Sequence, residues 1–287
     1  MIDGLVVVDK APGWTSHDVV AKCRGIFGQK RVGHAGTLDP GATGVLLVGL
    51  GRVTRLLRYA GAHPKKYMGE VVLGAETDTL DDEGEVTARH AMTHVRLEDV
   101  QAAAAPFVGE IEQVPPMVSA VKVGGRRLHA IARAGDEVDR LPRTVVVHDL
   151  EVSATDQPGV FRLCLTCSAG TYVRVLAADL GRALGGGAHL RRLRRTAIGG
   201  FSIDEATPVE ALGPQVVLAP VEAVRGYPAA VVDDDVAREV RHGKVLPIDV
   251  LGVEGEGPWA IVTAAGDLLA VYEHHGVGRV KPAVVLV

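Results

Sequence analysis

"RVGHAGTLDPGATGVL", residues 31–46, places a lone carboxylate, Asp39, among four glycines, a histidine and a proline, just before the chain turns apolar. The simplest reading is local. Asp-Pro suits a helix N-cap and first helical residue, and Asp-Pro-Gly suits a tight turn. Yet Gly33, Gly36, Gly41 and Gly44 give more backbone freedom than one cap requires. Glycine at that density marks left-handed conformations or close approach of the backbone to something else. His34 adds a flat ring and a switchable proton. The stretch reads as a functional loop that does not by itself name a reaction.

At 287 residues the chain is long enough for one large domain and a small one. With 47% hydrophobic but only 4% aromatic residues, a core of Val, Leu, Ala and Ile is expected. The start, "MIDGLVVVDKAPG", has no basic leader and too short an apolar run for a secretory signal. No stretch reaches 18 uncharged apolar residues, so no membrane association is expected. Cys23, Cys164 and Cys167 offer no disulfide framework and point to a reducing, cytoplasmic setting. "CLTC" (164–167) lacks a second pair, and on a strand its spacing turns the two thiols to opposite faces, which speaks against a metal or redox site.

The net charge of −4 conceals an asymmetry. Residues 1–200 carry 25 Lys and Arg against 22 Asp and Glu, whereas residues 201–287 carry 6 against 13. Basic residues in the first part cluster in "HPKKY", "GGRRLHAIAR" and "HLRRLRR". Each cluster alone reads as a solvated helix face; three of them, beside glycines or an aromatic, suggest a local face for a polyanion.

Along the chain, "LVVVDK" predicts a buried strand and "TSHDVVAKCRGIFG" a helix capped near Ser16. The glycine loop, the apolar run "VLLVGLG", a short helix around "VTRLLRYAG" and a strand at "KYMGEVVLG" follow. "ETDTLDDEGE" is an acidic loop whose oxygens do not fall at calcium-loop spacing. A helix over "LEDVQAAAAPFVG" is expected to end at Gly109. A strand, a turn and a basic helix follow it, then two β-rich runs joined by "DQPG" and an amphipathic helix over "TYVRVLAADLGRALGG". This mixture lacks regular βαβ alternation and predicts an α+β fold around a mixed, mostly antiparallel sheet flanked by helices. The expected division is a large domain over 1–212, a connector over 213–227 and a small β-rich module over 228–287.

Four segments, "GHAGTLDPGATGVLLVGLGRVTRLL", "KKYMGEVVLGAETDTLDDEG", "VPPMVSAVKVGGRRLHAIARAG" and "CSAGTYVRVLAADLGRALGGGAHLRRLRRTAIG", together resemble the TruB-type tRNA pseudouridine-55 synthases. They stand in the family's order and cover most of residues 1–200. The resemblance implies the pseudouridine synthase fold with a small PUA-like C-terminal domain, and isomerisation of the T-loop uridine of tRNA. That reaction involves no redox change, group donor or hydrolysis, so no cofactor and no metal are expected. The partner is the T stem-loop of tRNA, with no obligate protein partner, and a monomer suits the task.

By the same resemblance, Asp39 is the essential carboxylate, as nucleophile at C1′ or as base toward the ribose, and Arg174 is its partner. Paired, the arginine is expected to lower the carboxyl pKa. Tyr67 is the active-site tyrosine, with Leu193 in the pocket and Tyr172 packed nearby. His34 matches the residue that stacks into the T loop once the base has left, and Asp78 lies in a family motif where it also suits a loop cap. An insertion over about 115–142 closes on the T arm, with Lys122, Arg126 and Arg127 meeting phosphates. Lys65 and Lys66 attract phosphate, and Arg191, Arg192, Arg194 and Arg195 divide between RNA contact and internal pairing. The rival readings are a non-catalytic RNA binder, a synthase for another RNA, and a small-molecule enzyme that uses the loop as an anion site.

Overall fold

The computed structural model describes residues 2–117 and 138–286, with the backbone alone of 122–123 and 126–127. The chain forms β1 (Gly4–Lys10), α1 (Ser16–Ile26), β2 (Val32–Ala35), β3 (Thr43–Leu50), β4 (Lys65–Leu73), α2 (Leu97–Ala104), β5 (Gly109–Gln113), β6 (Arg143–Ala154), β7 (Val160–Cys167), α3 (Val173–Ala183) and β8 (Ala188–Ile198), of which β2, β5 and β8 are strands outside the expected runs. One ten-stranded sheet collects them in the order Thr207–Pro208, β1, β3, β8, β4, β7, β6, β5, with β2 on β3 and Phe201–Ser202 on β8. Two contacts are parallel, β1 with Thr207–Pro208 and β3 with β8; the others are antiparallel. The expected mixed, mostly antiparallel sheet is present.

Three local expectations shift. Thr15, not Ser16, caps α1, in a reciprocal pair with Asp18. Ser16 is buried, and its hydroxyl accepts from the Leu38 N–H at 2.9 Å, tying the helix start to the glycine loop. The helix expected to reach Gly109 stops at Ala104, tightens to a 3₁₀ turn over Ala105–Phe107, and gives way to β5 at Gly109, where φ is +105°. "HLRRLRR", which suggested a solvated face, is β8 in the middle of the sheet.

β8 can lie directly against β3 because Gly44 yields it space. A β-carbon on Gly44 would lie 2.1 Å from the Arg195 carbonyl oxygen, and Gly44 has φ +101°. Both facts require glycine at this parallel contact. Gly44→Ala is therefore expected to destabilise the fold by about 2–4 kcal/mol, read as a lower urea midpoint at unchanged m-value. An unchanged midpoint would mean that β3 and β8 can separate without loss.

The C-terminal module is a five-stranded sheet of β9 (Ala229–Val232), β10 (Leu246–Pro247), β11 (Trp259–Thr263), β12 (Leu268–His274) and β13 (Arg279–Val285), with α4 (Asp234–Arg241) beside it. Ala260, Val262, Leu268, Val271 and Val284 share one core with Leu5, Val45, Leu47 and Ile198 of the large sheet. The tract 213–227 joins that core through Ala223 and Val224, and Leu218 exchanges backbone hydrogen bonds with Leu5 at 2.8 and 3.0 Å. This tract is thus packed against the large sheet along its length.

Candidate active site

Asp39 lies in the turn between β2 and β3. Its carbonyl accepts from the Ala42 N–H at 3.1 Å, and no helix follows, so Asp-Pro-Gly serves as a turn and not as a cap. Three buried side chains anchor this loop. The Ser16 hydroxyl holds Leu38. The Lys10 ammonium donates to the Pro40, Ala11 and Trp14 carbonyls at 3.0, 3.0 and 2.7 Å. The Arg195 guanidinium donates to Gly36 at 2.7 Å, Thr37 at 3.4 Å and Val45 at 2.7 Å.

Arg174 faces Asp39 from the first turn of α3, with Nη2 3.1 Å from Asp39 Oδ2. Only 5% of the arginine side chain is exposed, against 40% for Asp39 at the cleft mouth. Arg174 Nη1 donates to the Thr79 carbonyl at 3.1 Å and lies 3.6 Å from Asp81 Oδ2. Burial pushes the Asp39 pKa above the ordinary carboxylate value; Arg174 pulls it down, Asp81 pushes it up and Lys10 pulls it down. The net direction is upward, so burial and a second carboxylate outweigh the depression expected from the arginine. Asp81 is the participant that sequence reasoning missed: within "TDTLDDEG" nothing separates it from its acidic neighbours. Asp78, by contrast, accepts from the Glu85 N–H at 2.9 Å and serves its own loop.

A cleft of about 280 Å³ opens beside this pair, lined by Tyr67, Tyr172, Leu193, Lys65 and Arg195 with Gly36–Asp39. Leu193 reaches it from a bulge in β8: the ladder to β4 slips between Arg191 and Arg194, and Arg192 adopts φ +53°. The peptide of Tyr172 is gripped on both sides by buried Gln113, which accepts from its N–H at 2.9 Å and donates to its carbonyl at 3.3 Å. Gln113 is a second residue that the sequence did not single out. Tyr67 is buried; burial raises its pKa, and its hydroxyl touches Arg195.

The other expected RNA contacts divide. Lys66 is exposed, and Arg192 is 68% exposed with Glu70 3.4 Å away. Arg191 is held by Glu70 at 2.7 Å, and Arg194 by Asp9 at 2.8 Å. Lys65 corrects the reading as a phosphate contact: only 5% of it is exposed, and its ammonium donates inward to the Gly61 and His63 carbonyls. His34 stands edge-on to His17 with ring centres 5.3 Å apart. Burial, then His17 and Arg195, lower its pKa to about 4, so the ring is neutral at pH 7. The side chains of Lys122, Arg126 and Arg127, and the basic helix expected after them, lie outside the described residues. Among the described residues no group of three or more His, Cys, Asp or Glu is arranged to hold a metal, and no helix is long and apolar enough to cross a membrane.

Residues 24–173 match the model of the TruB family pseudouridylate synthase N-terminal domain, and residues 174–223 that of the tRNA pseudouridylate synthase B C-terminal domain. Curated relatives include the tRNA pseudouridine synthase B of Thermobifida fusca (strain YX), 43% identical with 99% of both chains covered. That of Nocardia farcinica (strain IFM 10152) is 45% identical over 99% of this chain and 94% of its own. Among solved structures, the chain described as a Cbf5-Nop10-Gar1 complex superposes with a TM-score of 0.76 at 27% identity, covering 99% of this chain and 84% of that one. The Asp39 turn and α3 with Arg174 both fall where these relatives align, and the chain belongs to the TruB family of tRNA pseudouridine synthases, which are isomerases.

Proposed function

We propose that this cleft isomerises the T-loop uridine of tRNA, position 55, with Asp39 as the reacting carboxylate. The observation that carries the reading is the Asp39–Arg174 pair at the wall of an aromatic-lined cleft. The base leaves its stack and enters the cleft, at a cost of a few kcal/mol. Tyr67, Tyr172 and Leu193 replace the lost stacking and keep water from the cleaved intermediate.

Heterolysis of the C1′–N1 bond leaves the electron pair on uracil N1. Asp39 either bonds to C1′ as nucleophile or takes a proton from the ribose to leave a glycal. The uracil then turns, C5 bonds to C1′ as the Asp39–C1′ bond breaks or as Asp39 returns its proton to the ribose, and the C5 proton departs while N1 takes one up. Arg174 holds Asp39 ionised and oriented through a charge-assisted hydrogen bond. Residues 1–212 form the catalytic unit, with 115–142 reaching the T arm, 213–227 connecting and 228–287 completing a monomer that acts without an obligate protein partner or cofactor.

Unmodified tRNA tritiated at uridine C5 tests this reading. The expected result is tritium release that disappears when the T-loop uridine is replaced by cytidine. Salt-sensitive binding without release would favour the RNA-binder reading. Phosphate contacts are expected from the exposed cations: Lys66→Ala and Arg192→Ala each lower the slope of log K against log salt by about one. Each leaves the single-turnover rate at saturating tRNA unchanged; an unchanged slope would remove that residue from the RNA face.

A further inference from the structure

Beneath the cleft lie two cations that the reaction as described does not use. Lys65 is 5% exposed and Arg195 fully buried, yet both line the cleft that holds Asp39 and Tyr67. They converge under Gly36: a β-carbon built there would lie 3.4 Å from Lys65 Cε and 3.4 Å from Arg195 Nη1. Among the described residues neither forms an ion pair with a carboxylate. Their partners are neutral. Lys65 donates to the Gly61 and His63 carbonyls at 2.8 and 3.2 Å, using two of its three protons, and Arg195 donates to three carbonyls and touches the Tyr67 hydroxyl.

Adjacent buried cations without a counter-charge are costly. The strain registers on Lys65, whose pKa falls to about 8, through burial first and Arg195 second. Asp39 does not relieve them, because Arg174 already faces it at 3.1 Å. The floor of the cleft therefore carries excess positive charge on two buried side chains. Preorganised charge of this kind stabilises whatever negative charge develops against it during a reaction.

Resting on the proposed uridine isomerisation, we propose that Lys65 and Arg195 form a cationic floor that stabilises the uracil anion released when the C1′–N1 bond breaks. The electron pair left on N1 delocalises over O2 and O4, and the floor supplies the opposing charge until C5 attacks C1′ and the C5 proton leaves. Arg195 also pins the Asp39 loop, so its removal mixes two effects. Among the described residues the Lys65 ammonium donates to the Gly61 and His63 carbonyls and to no group of the Asp39 loop, so Lys65 is the cleaner probe.

The test compares wild type with Lys65→Met, which keeps length and loses charge, Lys65→Gln, which keeps a donor and loses charge, and Lys65→Arg, which keeps charge. Full-length tRNA carries either uridine or 5-fluorouridine at the T-loop target. Loss of the parent nucleoside in single turnover is the readout, with Kd measured alongside. Fluorine withdraws electrons and makes the departing base a more stable anion, so it needs less help from the protein.

With uridine, Lys65→Met and Lys65→Gln are expected to slow consumption about 10²-fold, Kd staying within about twofold and Lys65→Arg recovering most of the rate. With 5-fluorouridine the deficit shrinks to a few-fold. Equal deficits on both substrates would overturn the proposal in favour of a purely geometric role, and a deficit confined to Kd would overturn it in favour of RNA binding. Failure of both uncharged variants to fold at 25 °C would also overturn it, since the cations would then be structural. A wild type that leaves uridine intact would instead bring down the reading of the site itself.

Discussion

Asp39→Asn abolishes pseudouridine formation, by at least about 10⁴-fold in single turnover, while Kd for tRNA stays within about twofold. Asparagine fills the same volume and still offers an oxygen to Arg174 Nη2, now 3.1 Å from Asp39 Oδ2. The turn keeps its hydrogen bond from Ala42 to the residue 39 carbonyl, which is backbone and indifferent to the substitution. What disappears is the negative charge that either bonds to C1′ or takes a ribose proton. Arg174 retains the Thr79 carbonyl and Asp81, so its guanidinium is not stranded in the protein interior. Turnover above about one part in a hundred would contradict the assignment and leave Asp39 as a turn residue only.

Arg174→Lys is the second large effect. One guanidinium reaches Asp39 and the Thr79 carbonyl and lies near Asp81, an arrangement that an ammonium at the end of a flexible stem cannot reproduce. The expected loss is roughly 10²–10³-fold in the chemical step, with tRNA affinity preserved because the side chain is buried away from the surface. The pH profile carries a second signature. In wild type the acid limb of activity lies above the ordinary carboxylate pKa, because burial raises that of Asp39. Arg174 opposes that rise, so weakening its contact moves the limb to higher pH. A variant that keeps both the rate and the limb would show that Arg174 serves the fold alone.

Much of this was written plainly in the chain. Apolar runs and capping residues gave β1, α1, β4 and α3, and the absence of βαβ alternation gave the sheet its mixed character. Asp39 and Arg174 stand 135 positions apart, and no local periodicity brings them together; the resemblance of the two motifs to one family did. Other features were hidden for physical reasons. Paired arginines in "HLRRLRR" carry the composition of a surface, but β8 alternates faces and then bulges, sending Arg195 into the core and Leu193 into the cleft. Lys65 has the same disguise: a lysine beside a lysine suggests solvent until the strand turns one of them inward. Asp81 and Gln113 act through tertiary contacts to α3 and its lead-in that their own neighbourhoods do not announce. The sign of the Asp39 shift needed the structure too, because it depends on how much burial surrounds an arginine pair whose existence alone suggested the opposite.

The most direct measurement is the location of the product. Full-length unmodified tRNA is incubated with the wild-type chain and with Asp39→Asn, and pseudouridine is mapped by its carbodiimide adducts along the whole molecule. The account predicts a single new pseudouridine, at the T-loop uridine, formed by the wild type and absent with Asp39→Asn. A pseudouridine at another position, or one formed equally by Asp39→Asn, would contradict it.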